Sequence, residues 1–213
     1  MGFCVVTATH IKKGLIADER RKPTVRKARL DWDRRQKAMR EQPHRLIFLD
    51  ETGTNTNMSR EYGRSLRGER LKGNAPFRRW ENHTLITGLS CEGIVAPWGI
   101  SGAMDRDAFD TYVEKVLLPE LEPGSVVILN NLATHKSDTA AQMLKSHSCW
   151  FLFLPAYSPD LNPIKMAFAK LKAHLQRIGA RTFDQLIKAI SKICDPFTPD
   201  ECWNFFKAAE YAA

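Results

Sequence analysis

Leu154-Pro-Ala-Tyr-Ser-Pro-Asp-Leu-Asn-Pro-Ile-Lys-Met-Ala-Phe-Ala-Lys-Leu-Lys172 joins the end of a strand to the start of a helix. Pro155, Ser158-Pro159-Asp160 and Asn162-Pro163 supply the turn between them. Asn162 is a residue type that caps helices, and Pro163 suits a first helical position, where its missing N–H is not needed. Ile164, Phe168, Leu171 and Leu175 then recur at helical spacing. Lys165 falls in the first turn of this helix, beside the strand ends. A helix N-terminus favours a carboxylate there, so lysine carries the wrong sign for the local field.

Working outward, Cys149–Leu154 reads as a buried strand feeding this turn, with Trp150 and Phe153 assigned to the core together with Trp98. Ser125–Leu129 is a second buried strand, ending at Asn130-Asn131. Arg45–Asp50 is a third, closing in an acid and followed by a turn over Glu51–Asn55. Residues 83–90 and 94–100 read as a hairpin with Gly93 in the turn, and Pro97 pushes its second strand toward a sheet edge. Helices are expected over Pro23–Arg40, Asp105–Leu118, from Ser137 or Asp138 to Ser146, over 183–194 and over 199–209, with Thr182 and Thr198 as N-caps. This order gives an α/β fold: a mixed sheet, antiparallel first and then parallel through crossover helices, with helices on both faces.

The chain has 213 residues, enough for one substantial domain with a short arm. No apolar run approaches the roughly 18 residues of a membrane span, and His10, Lys12 and Lys13 interrupt any signal-peptide pattern. Five scattered cysteines without a C-x-x-C pair read as reduced thiols of a cytoplasmic protein. Residues 12–45 hold 13 Lys/Arg against five Asp/Glu, a surplus equal to the +8 of the whole chain. A basic arm, residues 1–44, thus precedes a neutral domain, residues 45–213, and points to a polyanion partner, nucleic acid above all. Lys12 and Lys13 in the arm, and Arg64, Arg67, Arg70 and Lys72 in the Arg-rich segment 58–79, are candidate phosphate contacts.

Ligands of such sheets bind where strands end and helices begin. Asp50, Asn130 and Lys165 converge there. Three acids in these places would hold two divalent metals for phosphoryl transfer.

The runs Phe48-Leu-Asp-Glu-Thr52, Val127-Ile-Leu-Asn-Asn-Leu-Ala-Thr-His-Lys136 and Ser158-Pro-Asp-Leu-Asn-Pro-Ile-Lys165, in this order, closely resemble the DDE transposases of bacterial insertion sequences in the mariner superfamily. The resemblance runs from about Lys12 to the C-terminus and includes Ala96-Pro-Trp98 and Phe197-Thr-Pro-Asp-Glu-Cys202. It implies an RNase H-like fold, DNA cleavage and strand transfer, Mg²⁺ or Mn²⁺ as cofactor, transposon ends and target DNA as partners, and a homodimer or a full-length transposase as protein partner. It also places His135 and Lys136 beside the active site as DNA contacts.

Asp50 matches the family's first catalytic aspartate, Asn130 stands in place of the second, and Lys165 in place of the third carboxylate. Thirty-four residues separate Asn130 from Lys165, as in the branch resembled, so the frame is kept and only the chemistry changes. Asp50, Asn130 and Lys165 sum to zero charge where three acids would supply −3. Asp50 and the neutral carbonyl of Asn130 are the remaining candidate metal ligands. A protonated Lys165 repels a cation by about 4 kcal/mol per unit charge at ~4 Å and an effective dielectric of ~20. Arm 1–44 is also too short for the helix-turn-helix units of such transposases and reads as a linker remnant. The expectation is a transposase catalytic domain that does not cleave. The alternatives are a DNA-binding remnant or regulator of a full-length transposase, and a metal-dependent nuclease using other acids.

Overall fold

Leu46–Asn55 forms the central strand β1, and every other element is placed by what pairs with it or covers it. The computed structural model describes residues 17–56, 58, 66–70, 72, 81–194 and 197–213. Antiparallel β2 (Asn82–Leu89) and β3 (Ile94–Ser101) lie to one side of β1; parallel β4 (Val126–Leu129) and β5 (Trp150–Phe153) lie to the other. The sheet order is β3-β2-β1-β4-β5. This is the mixed sheet expected from the sequence, with β3 at an edge as Pro97 requires.

β1 is longer than its sequence suggests. Its pairing with β4 stops at Leu49↔Leu129, yet its pairing with β2 continues from Asp50↔Thr87 to Asn55↔Asn82. The turn expected at Glu51–Asn55 is therefore strand, because a long antiparallel partner satisfies its backbone. Asp50 sits where β4 leaves β1, on a strand held rigid from one side.

Strand alternation sends the side chains of β1 to two separate cores. Phe48 joins Trp32, Leu85, Ile128 and the helices α4 (Ile164–Ile178), α5 (Phe183–Cys194) and α6 (Pro199–Ala208). Ile47 and Leu49 face Phe109 and Tyr112 of α2 (Arg106–Tyr112) and Leu144 of α3 (Asp138–Ser146). The helix expected over Asp105–Leu118 is α2 followed by one π-helical turn, Val113–Leu117. Asp105, Ser137, Thr182 and Thr198 cap their helices by accepting from the amides of Ala108, Ala140, Gln185 and Glu201.

β5 corrects one expectation. It is an edge strand, and Trp150 is 47% exposed rather than buried in the core. An apolar run alone does not tell a central strand from an edge one.

The arm helix α1 (Pro23–Met39) packs on the C-terminal segment. Trp32 Nε1 donates to Tyr211 Oη at 2.8 Å, Gln36 Nε2 to the Ala209 carbonyl at 2.7 Å, and Arg40 Nε to the Glu210 carbonyl at 2.6 Å. Gly88 of β2 lies against β1 so closely that an added Cβ would stand 2.8 Å from Ile47 Cγ2. Gly88→Ala is expected to cost about 1–3 kcal/mol by overpacking, read as a lower urea midpoint with an unchanged slope.

Candidate active site

Asp50 leaves β1 on the face covered by α4 and is 3% exposed. Four donors surround its carboxylate. Oδ1 accepts from the Glu51 amide at 2.8 Å and from Asn130 Nδ2 at 2.9 Å. Oδ2 accepts from Asn162 Nδ2 at 3.0 Å and lies 2.6 Å from Lys165 Nζ. The three positions named from the sequence, Asp50, Asn130 and Lys165, thus stand in direct contact. Each arrives on a separate element: mid-β1, the end of β4, and the first turn of α4.

Asn162 is a fourth member that the sequence reading placed differently. It was expected to cap α4, but its side chain makes no cap bond and turns to Asp50 instead. Pro163, already in helical conformation, precedes the first residue of α4. The carboxylate is the stronger attractor, since a bond to a charged acceptor is worth more than one to a neutral amide. Asn162 is 2% exposed, and its Oδ1 finds no partner among the described residues. An orphaned acceptor costs about 1–3 kcal/mol, so the charge of Asp50 sets this orientation.

Glu51 points to the opposite face, as strand alternation demands. Its Oε1 lies 2.9 Å from His135 Nε2, while His135 Nδ1 lies 3.3 Å from the Asn130 carbonyl. His135 is 1% exposed and packs on Phe109 at 5.0 Å between ring centroids. Its ring is committed inward, and only Lys136 of the His-Lys pair reaches the surface. His135 instead ties β1 to the loop that carries Asn130. Arg67, Arg70 and Lys72 are exposed; Lys12, Lys13 and Arg64 lie outside the described residues.

Asp160 does not face the site. Arg20 Nη2 and Arg29 Nη2 each lie 2.8 Å from its Oδ2. Burial alone would raise its pKa, but the Arg29 and Arg20 guanidiniums hold the carboxyl below its ordinary value. The turn before α4 is thereby fastened to α1. Beside it, a cleft of about 460 Å³ opens between Asn130, Asn131, Tyr157, Ser158 and Lys165. Tyr157 holds a left-handed φ of 55° and stands 49% exposed at this cleft.

These residues do not fit a divalent metal. Both Asp50 oxygens are taken by N–H donors, and Asn130 offers its amide nitrogen to the site rather than the carbonyl expected of a ligand. The ammonium of Lys165 sits on the carboxylate where a cation would, and Mg²⁺ prefers several oxygen ligands. Three nearby acids are engaged elsewhere. Glu51 is engaged by His135, Asp160 by two arginines and Asp105 by its helix. Among the described residues no three His, Cys, Asp or Glu side chains group to hold a metal.

Comparison with known proteins agrees with this architecture. The family model described as DDE superfamily endonuclease matches residues 45–187. No curated protein matches the chain. Among solved structures, the Mos1 transposase paired-end complex with left transposon end aligns at 16% identity and a TM-score of 0.76, over 95% of this chain and 64% of that one. The mariner Mos1 paired end complex with Mg aligns at 14% identity and a TM-score of 0.73, over 96% and 65%. The catalytic domain of Mos1 mariner transposase aligns at 12% identity and a TM-score of 0.62, over 94% of both chains. At these identities the likeness is one of fold, the RNase H-like transposase catalytic fold. The chain spans about two thirds of the length of the Mos1 chains in those complexes, 64% and 65%. Among the described residues, no helix is long and apolar enough to cross a membrane.

Proposed function

The chain belongs to the DDE superfamily of endonucleases, and on that premise we propose that it is the catalytic domain of an insertion-sequence transposase that holds DNA without cutting it. One observation carries this reading: Lys165 Nζ lies 2.6 Å from Asp50 Oδ2. Metal-assisted strand cleavage needs a cluster of negative charge to collect dications beside the scissile phosphate. Here the site neutralises itself, with the lysine in the cation's place and Asn130 as a neutral donor.

DNA affinity outlasts such a change, because phosphate contacts act through cations spread over the surface. Arg26, Lys27, Arg34 and Lys37 of α1 are exposed, as are Arg67, Arg70, Lys72 and Lys136. Arg20, Arg29 and Arg40 are spent on Asp160 and Glu210. The reading therefore assigns salt-sensitive, sequence-tolerant binding to the exposed set. A DNA-binding regulator that pairs with a full-length transposase would use the same surface. The cleft beside Lys165 favours it as the second reading, since a lysine side chain that is 41% exposed and an exposed tyrosine there suit a nucleotide.

The deciding measurement is calorimetric titration with Mn²⁺ of wild type beside the double variant Asn130→Asp, Lys165→Glu. Wild type should show no saturable binding and no nicking of supercoiled DNA, and the variant should gain both. Metal-dependent nicking by wild type that Asp50→Ala abolishes would overturn the reading. A variant without metal affinity would show that the site is misplaced.

A further inference from the structure

We propose that the free edge of β5 is a docking site for an extended peptide whose apolar centre is flanked by acidic residues. Trp150 N donates to Ser125 O, and Leu154 N donates to Leu129 O at 2.9 Å. Even-numbered residues thus direct their backbone groups at β4. Alternation turns the N–H and C=O of Phe151 and Phe153 to the open edge, where no described strand lies. Besides shortness, natural edges are blunted by proline, charge or a bulge; the four-residue Trp150-Phe-Leu-Phe153 has none of these three.

The edge runs between two grooves. On the α3 side a cavity of about 700 Å³ is floored by Phe151 and Phe153. On the α1 side one of about 330 Å³ is floored by Leu152 and Met39. Trp150 borders both and is held under the Arg45 guanidinium, 5.7 Å from its ring centroid. A strand added here would form backbone bonds to Phe151 and Phe153 and drop successive side chains alternately into the two grooves.

Charge selects the occupant. Lys136 and Lys145 border the first groove, and Arg35 and Arg45 the second, against Asp138 as the one acid lining either among the described residues. A second copy of this chain would bring the same cations to the same edge. The segment preceding α1 carries His10, Lys12 and Lys13, again of the wrong sign. Nucleic-acid phosphates could accept from the lysines and the edge amides, but a peptide backbone also supplies, in the same register, N–H donors for the Phe151 and Phe153 carbonyls.

The test uses the full chain and the synthetic peptide Asp-Asp-Leu-Phe-Leu-Asp-Asp, followed by NMR amide exchange. The acidic peptide should slow exchange of the Phe151 and Phe153 amides at least about tenfold at saturation. A counterpart with lysine for aspartate should bind about tenfold more weakly or worse, and so should the acidic peptide to Lys145→Glu or Arg35→Glu protein. These exposed substitutions should leave the melting temperature unchanged. The proposal is overturned if the peptide leaves those amides fast, or if they are already slow in the free protein because the chain covers its own edge. It is also overturned if single-stranded DNA displaces the peptide more tightly than the peptide binds, or if the free protein self-associates through this edge.

Discussion

Exchanging Lys165 for glutamate, with Asn130 left in place, lowers the melting temperature by roughly 5–10 °C in metal-free buffer. The carboxylate of Asp50 is 3% exposed and has one formal counter-charge, the ammonium 2.6 Å away. Removing one partner of a fully buried pair costs about 3–5 kcal/mol. Two features reduce that here. The Lys165 side chain is 41% exposed, so water screens part of the interaction. Asp50 also keeps its bonds from Glu51 N, Asn130 Nδ2 and Asn162 Nδ2. A second carboxylate adds repulsion, and the net cost is about 2–3 kcal/mol. Each 1 kcal/mol moves the melting point of a domain this size by about 2–4 °C. Lys165→Met, which removes charge without reversing it, should fall between the two. Millimolar Mn²⁺ should raise the melting temperature of Lys165→Glu while leaving wild type where it is, because only the variant gains a ligand bound in the folded state alone. Scanning calorimetry in EDTA and in MnCl₂ measures all three. Equal melting points in EDTA would mean that the ion pair contributes nothing.

The convergence of Asp50 and Lys165 was readable because both ends are written locally. A strand that closes in an acid and a turn that opens a helix each place one side chain at the same end of a parallel sheet. The helix caps Thr182 and Thr198 were readable for the same reason, since a cap depends on three or four neighbours. What could not be read depends on partners distant in sequence. Asn162 looks like a cap until Asp50, 112 residues away, competes for its amide. Glu51–Asn55 looks like a turn until β2 pairs with it. His135, a DNA contact by resemblance, has its ring claimed by Glu51, 84 residues away. Trp150 looks like core because hydrophobicity does not reveal which strand is last in a sheet. Asp160 looks like a turn-closer until Arg20 and Arg29, each more than a hundred residues upstream, claim its carboxylate.

Tyr211→Phe removes one oxygen and is expected to cost about 2–4 kcal/mol, because that oxygen serves two buried groups. It accepts from Trp32 Nε1 at 2.8 Å and donates to the Leu161 carbonyl at 2.9 Å. The ring itself stays, packed on Phe48 at 4.6 Å and edge-on to Phe206 at 6.5 Å, so no cavity opens. The loss is therefore one of hydrogen bonding. It leaves an indole N–H and a carbonyl unpaired in a site that is fully enclosed, Tyr211 being 0% exposed. Chemical denaturation of Tyr211→Phe, Trp32→Phe and the double variant separates the pair. If the two costs arise from one shared bond, the double variant should lose much less than the sum of the singles. Strict additivity would refute the clamp. The effect should also reach the candidate site, since Leu161 adjoins Asn162: the Asn162 amide should exchange faster in Tyr211→Phe than in wild type. A pH series gives an independent check. Burial pushes the Tyr211 phenol above its ordinary value of 10.0, the bond from Trp32 only partly offsetting it. Its pKa is thus higher folded than unfolded, so the stability linked to it is fully present below the unfolded value and declines as pH rises above it. Phenylalanine has no such proton. The advantage of wild type over Tyr211→Phe should be constant near neutral pH and should shrink as pH rises past about 10.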